Sequence, residues 1–185
     1  MKRLAFLSLA MVVASSPALA RPASTGWYAE GGLGAVTFLP SASSDAATGP
    51  ALNLRVGRDL FSWFSFGASL AASSHEATVP APPDGEWFQI YRGSADARIT
   101  VRLDRVALFV EGGAGFAMIS SNVLGKVMIT DPGEKLSVAA HAGGGFEYQI
   151  ENRHYAFGLG VDGFILPNFA AIRALDSRVY LRYTY

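Results

Sequence analysis

Eight stretches of this chain alternate apolar and polar residues with a period of two, the pattern of a strand that shows its two faces to different surroundings. The first runs from about Gly26 to Phe38. Trp27, Ala29, Leu33 and Ala35 share one face, against Tyr28, Glu30, Gly32 and Gly34. The second, about Ala51 to Arg58, sets Leu52, Leu54 and Val56 against Asn53, Arg55 and Gly57. The third, Trp63 to Ser73, sets Phe64, Phe66, Ala68 and Leu70 against Ser65, Gly67 and Ser69. The fourth, Trp87 to Leu103, alternates most clearly: Tyr91, Ala95, Ala97, Ile99 and Val101 oppose Arg92, Ser94, Asp96, Arg98, Thr100 and Arg102. The fifth, Val106 to Ile119, sets Leu108, Val110, Phe116 and Met118 against Glu111, Gly113 and Gly115. The sixth, Leu136 to Gln149, sets Val138, Phe146 and Tyr148 against His141 and Glu147. The seventh, Tyr155 to Ile165, opposes Phe157, Leu159 and Val161 to Gly158, Gly160 and Asp162. The eighth, Ser177 to Tyr185, puts Val179, Leu181, Tyr183 and Tyr185 on one face and Arg178, Tyr180, Arg182 and Thr184 on the other.

The spaces between these segments also alternate. Short links are expected at Asp59–Ser62, Asp104-Arg105 and Glu151–Arg153, and long ones at Leu39–Pro50, Ser74–Glu86, Ser120–Lys135 and Leu166–Asp176. Strands of about 10 residues are long enough to cross a bilayer at a tilt. Short turns on one side and long loops on the other suit an up-and-down meander of that kind.

Which face points where decides between water and lipid. The charged residues share a face with glycine and serine, which suit the crowded inside of a small barrel, and the bulky apolar residues lie opposite. The sorting is inside-out relative to a soluble barrel. The expectation is therefore all-β: a closed antiparallel eight-stranded transmembrane β-barrel with both termini and the short turns in the periplasm. Rings of aromatics at the strand ends are expected to sit at the two interfaces: Trp27, Tyr28, Trp63, Phe64, Tyr148, Tyr155, Tyr183 and Tyr185 at one, Phe38, Trp87 and Phe88 at the other.

The N-terminus adds an address. Lys2 and Arg3 precede a short apolar run, Leu4 to Ala14, and Ala18-Leu19-Ala20 fits a small-x-small cleavage site. Residues 1–20 are expected to be a signal peptide and residues 21–185 the barrel domain. The chain of 185 residues has no cysteine, so neither a lipid anchor at the cleavage site nor a disulfide framework is expected. A formal net charge of +0 gives no ground for a nucleic-acid partner.

Candidate chemistry concentrates on the inward face. Glu30, Asp96, Glu111, Glu147 and Asp162 face Arg55, Arg92, Arg98, Arg102, Arg178 and Arg182, with His141 among them. Unpaired charges in so narrow an interior would cost several kcal/mol each, so arginine–carboxylate pairs are expected to plug the lumen. A narrow channel lined by the same charges is the alternative. The three histidines have plain structural explanations, although His75 with Ser73 or Ser74 imitates a nucleophile–base pair. The proline-rich run Val79–Glu86 reads as an extended loop. Gly143-Gly144-Gly145 lies inside a strand with no helix after it, which excludes a nucleotide loop. No catalytic residue, cofactor or metal is expected.

The run Trp27-Tyr28-Ala29-Glu30-Gly31-Gly32-Leu33-Gly34 after a signal peptide, the eight alternating strands and the aromatic last residue resemble the OmpA/OmpX-type small outer-membrane barrels. The ending Val179, Leu181, Tyr183, Tyr185 is similar to their C-terminal membrane-insertion signal. The resemblance implies a Gram-negative outer membrane, contact with its lipid, and the barrel-assembly machinery as partner during biogenesis. It implies a structural or partner-binding role in the cell envelope, with envelope proteins met through the outer loops or periplasmic turns. A part in a trans-envelope assembly such as a surface or gliding-motility machine, a porin-like small-solute pore, and a lipid A-modifying enzyme are the alternatives.

Overall fold

The computed structural model describes residues 25–40, 46–77, 87–120, 136–150, 154–169 and 172–185. The signal peptide, the proline-rich run and most of two long links fall outside the described residues. Eight strands follow one another: β1 Trp27–Phe38, β2 Gly49–Phe61, β3 Phe64–Glu76, β4 Trp87–Leu103, β5 Val106–Ile119, β6 Leu136–Gln149, β7 Tyr155–Leu166 and β8 Ile172–Thr184. Each pairs antiparallel with the next, and β8 pairs back onto β1 from Tyr28↔Thr184 to Phe38↔Ala174. No edge is left open, which is the condition for a sheet to stand in lipid.

The alternation read in the sequence is the alternation of the wall. Leu33, Leu54, Val56, Leu70, Ile99, Val110, Phe116, Val138, Phe157 and Val179 lie exposed on the outside, while Glu30, Arg55, Asp96, Arg98, Glu111, Glu147 and Asp162 are buried inside. A water-soluble barrel would show the reverse.

Several expected boundaries shift. Asp59–Phe61 continues β2, with a register shift between Asp59 and Phe61, and the turn is Ser62-Trp63. The parity of Arg55 and Gly57 thus carries on to Asp59, which turns inward. β3 runs on to Glu76 and β8 starts at Ile172, so the last long link shrinks to residues 167–171. Asp176 becomes a strand residue directly opposite Asp162. The Asp104-Arg105 turn stands as expected, with Asp104 at φ 55, a left-handed conformation that Asp adopts more readily than most residues.

Trp27, Trp63, Trp87, Tyr148 and Tyr155 are exposed at the strand ends, as expected of interfacial rings. Tyr28, Phe38 and Phe88 are not part of them: all three are buried inside the barrel. They correct the expectation because proximity to a rim does not determine parity. Tyr28 shares its face with Glu30. Its ring lies against Gly57 and Gly67, where a Cβ would collide with it, and Tyr180 covers Gly158 in the same way.

Near the long-loop end the two faces exchange character. Outward positions become polar at Thr37, Ser74, Glu76, Gln89 and Arg173. Inward positions become apolar, and Val36, Phe38, Ala51, Phe88, Ile90, Phe164 and Leu166 form a buried cluster. Polar outside and apolar inside is how a barrel is built in water. The long-loop end therefore rises past the hydrocarbon with a hydrophobic cap inside it.

Candidate functional site

The lumen below that cap is filled by one connected charge network. Its centre is Arg98 on β4, buried to 2% exposure. The guanidinium donates to both carboxylate oxygens of Glu30 on β1, Nη1 to Oε1 at 2.9 Å and Nη2 to Oε2 at 3.0 Å. Its Nε donates to Glu111 Oε2 on β5 at 2.8 Å, and Nη1 also reaches Glu147 Oε1 on β6 at 2.6 Å. One planar fork thus ties four strands across the barrel, a task that suits Arg because its donors are fixed in one plane. The Phe109 ring lies 4.2 Å from the Arg98 Cζ and closes the guanidinium's open face.

The other arginines extend this centre. Glu111 also accepts from Arg55 and Arg178, so three guanidiniums converge on one carboxylate. Arg55 Nε donates to Asp96 Oδ2 at 3.2 Å, and Arg178 also pairs with Asp162. Arg182 joins Glu30 at 3.1 Å and Asp59, while its guanidinium rests 3.9 Å from the Tyr28 ring. The Tyr180 hydroxyl donates to Glu147 Oε1 at 2.9 Å. His141 Nε2 lies 3.2 Å from Asp96 Oδ1, which also accepts from Ser94 Oγ at 2.7 Å.

Of the charges expected in the plug, the structure brings together Glu30, Arg55, Asp96, Arg98, Glu111, His141, Glu147, Asp162, Arg178 and Arg182. Arg92 stands apart, nearer the cap, paired with Asp176 and with its guanidinium 3.9 Å from the Phe164 ring. Arg102 faces inward toward the short-turn end but forms no ion pair with a described carboxylate, and its Nε is buried without a hydrogen-bond partner. Its expected place in the network is corrected to that of a neighbour. β4 places it in one cross-strand row with Ala107 and Glu147.

Sequence reasoning missed Asp59, Tyr28 and Tyr180 as members of the network, and Asp176 and Asn53 as companions of Arg92. Asn53 Nδ2 supports Asp176 Oδ1 at 3.4 Å. All five share parity with residues that were placed inside, and that parity was the available signal.

Between the network and the cap lies a small polar chamber of about 40 Å³, walled by Asn53, Ser69, Arg92, His141, Asp162 and Asp176. At roughly 10–15 Å³ per enclosed water it has room for about three.

Among the described residues, the cap holds one arrangement that looks like enzyme chemistry. His75 is fully buried between the Phe38 and Phe88 rings, at centroid distances of 4.7 Å and 5.4 Å. Its Nδ1 lies 3.0 Å from the Ala47 carbonyl and its Nε2 2.9 Å from Ser73 Oγ. A carbonyl only accepts, so Nδ1 carries a proton, and in the neutral ring Nε2 then accepts from the serine hydroxyl. That is the polarity of a nucleophile–base pair. Burial between two rings gives it an equally good structural explanation: each polar atom satisfies another.

On the opposite face, Tyr183 packs against both Tyr155 and Tyr185, at 4.8 Å and 4.9 Å, below Val179 and Leu181. The terminal aromatics thus lie on the lipid side of the closing strand.

Comparison with solved structures places this architecture among small outer-membrane barrels. The neisserial surface protein NspA superposes with a TM-score of 0.65 at 14% identity, covering 88% of this chain and 99% of that one. OprG of Pseudomonas aeruginosa gives 0.57 at 14% identity, covering 90% and 98%. The N-terminal β-barrel domain of Pseudomonas aeruginosa OprF gives 0.53 at 13% identity, covering 88% and 99%. At such identities the likeness speaks for the fold alone. No functionally curated protein matches the sequence. Residues 6–180 match the sequence profile of the outer membrane protein beta-barrel domain, and with nearly the whole chain inside that match and eight closed strands beneath it, this protein belongs to the outer membrane β-barrel family.

Proposed function

We propose that this chain is a non-enzymatic barrel of the cell envelope with a structural or partner-binding role, sealed by its own lumen. In this reading both termini and the short turns face the periplasm, and the long loops face outward. The observation that carries it is the pair of stacked seals: a continuous arginine–carboxylate network around Arg98, and above it the apolar cluster of Val36, Phe38, Phe88, Ile90, Phe164 and Leu166. An ion entering from either end meets one of them. An eight-stranded wall encloses little more than the volume its own side chains fill. With the interior committed to closure, contact with a partner falls to the loops, turns and outer surface.

Planar-bilayer recording of purified protein tests the seal. The expected result is the absence of steady, reproducible steps above the protein-free baseline. Regular single-channel steps would overturn the plugged reading in favour of a narrow pore.

The Ser73–His75 pair supports a second reading, a hydrolase acting on lipid. Full burial argues against it, since a nucleophile needs a path for its substrate. Cells producing Ser73→Ala protein are expected to carry the same lipid A acylation, by mass spectrometry, as cells producing the unaltered chain. A difference confined to the unaltered chain would make this an enzyme.

A further inference from the structure

We infer that the lumen holds one buried proton: Asp162 is an uncharged carboxyl group that donates to the Glu111 carboxylate beside it. The inference deepens the sealed-lumen reading and rests on it. Three observations carry it: a count of charges, the geometry of the pair, and an oxygen without a donor.

The charges do not balance. Among the described residues, the inward face of the strands carries six guanidiniums, all of them arginines expected there from the sequence. Against them stand seven carboxylates, the five acids expected there with Asp59 and Asp176 added. Seven against six leaves one negative charge in excess. Setting aside the charges nearest the short turns, Asp59 and Arg102, leaves six against five and the same excess. A closed interior does not keep a charge without a counter-charge; such a group takes up a proton and becomes neutral. His141 is the other inward group that could carry one. Its Nε2 serves Asp96, which already receives hydrogen bonds from Arg55 and Ser94, so the shortage of donors lies elsewhere.

The geometry names the place. Glu111 on β5 and Asp162 on β7 flank Gly143 of β6 in one cross-strand row. Gly143 has no side chain to keep them apart, and a Cβ there would collide with Asp162 Oδ1. Arg178 gathers both acids: its Nη1 donates to Asp162 Oδ2 and its Nη2 to Glu111 Oε1. Neighbouring nitrogens of one guanidinium thus hold two carboxylate oxygens side by side. Two carboxylates that share a site do not both stay ionised. Glu111 is the one that keeps its charge, because Arg55, Arg98 and Arg178 all converge on it. Asp162 has only a share of Arg178, and Asp176 opposite it is paired with Arg92.

The third observation is Asp162 Oδ1. Asp162 is 4% exposed, and its Oδ1 is closed to water and has no hydrogen-bond partner. An ionised oxygen in that position forfeits all of its solvation, whereas the carbonyl oxygen of a neutral acid has far less to lose. With the proton on Oδ2 and directed at Glu111, Oδ1 becomes that carbonyl oxygen, and Oδ2 still accepts from Arg178. The proton is taken from water as the barrel closes around the pair.

Infrared spectroscopy of the folded protein at neutral pH tests this, in a detergent free of ester and carboxyl groups. A neutral carboxyl has a carbonyl stretching band that an ionised one lacks. The expected result is one such band, lowered in frequency by carboxyl-carbon-13 aspartate, unmoved by the same label in glutamate, and lost in Asp162→Asn. The label assigns the band even where the variant does not fold, and the heat-dependent gel shift reports folding separately. No band in the unaltered protein would overturn the proposal, since a proton on His141 or a bound cation would then balance the charge. A band that follows the glutamate label, or survives in folded Asp162→Asn protein, would overturn it too. The bilayer recording tests the seal independently of this band.

Discussion

Arg98→Ala is expected to destabilise the folded barrel by about 3–5 kcal/mol, the cost of stripping one partner from a buried ionic cluster. The loss does not come from the weakness of what remains. Glu30, Glu111 and Glu147 all receive hydrogen bonds from that one guanidinium, and none of them can move into water when it is gone. Arg55 and Arg178 still pair with Glu111 and Arg182 with Glu30, but the same three also serve Asp96, Asp162 and Asp59, so six acids are left to three guanidiniums. Arg98→Lys keeps the charge and loses the fork, so it is expected to recover only part of the stability: an ammonium reaches one or two of the acids, not all three. The measurement is the midpoint of urea unfolding in detergent or lipid, followed by the loss of the heat-dependent gel shift. Unaltered midpoints for Arg98→Ala would mean that the network fills space without holding strands together.

Leu33→Arg is the second large effect, about 2–4 kcal/mol of destabilisation, and it comes from the other side of the wall. Leu33 is 66% exposed and lies midway along β1, where lipid is most hostile to charge. Thr37→Arg, on the same face but within the polar rim, is expected to cost about 0–1 kcal/mol, because the cost falls off toward the interface. The pair is informative together. A soluble barrel would tolerate arginine equally well at both exposed sites, so a flat response would contradict the membrane placement whatever the absolute values.

The fold was open to sequence reading because a barrel with lipid outside and charge inside imposes the strictest alternation a strand can carry. Arg178, Tyr180 and Arg182 against Val179, Leu181 and Tyr183 leave one reading of β8. The errors share a physical cause. Near the ends of strands a polar residue signals a turn in most proteins, so Asp59 and Asp176 were expected in links. In this interior polar residues are the core, and both acids lie inside, paired with Arg182 and Arg92. Phe38 and Phe88 erred the other way. Aromatics at a strand end suggest the interface, but their parity is inward and the local surroundings have already become those of a water-soluble barrel. The exchange of polarity along one strand, from Glu30 to Val36 on the inside of β1, is visible once the register is known. The sequence offered His75 beside either Ser73 or Ser74 at the start of a link; the continuation of β3 to Glu76 selects Ser73, and the burial of the pair depends on rings from β1 and β4.

The account turns on which face meets lipid, and spin labelling measures that directly. The chain has no cysteine, so Leu54→Cys, Ala114→Cys, Val138→Cys and Val179→Cys would each carry a single label, placed on the outer wall well away from the lumen. In lipid bilayers all four labels are expected to collide frequently with oxygen, which concentrates in hydrocarbon, and rarely with a water-soluble nickel chelate. Frequent collision with the nickel chelate at these positions would contradict the inside-out barrel, and the sealed lumen would have to be read again as the surface of a soluble protein.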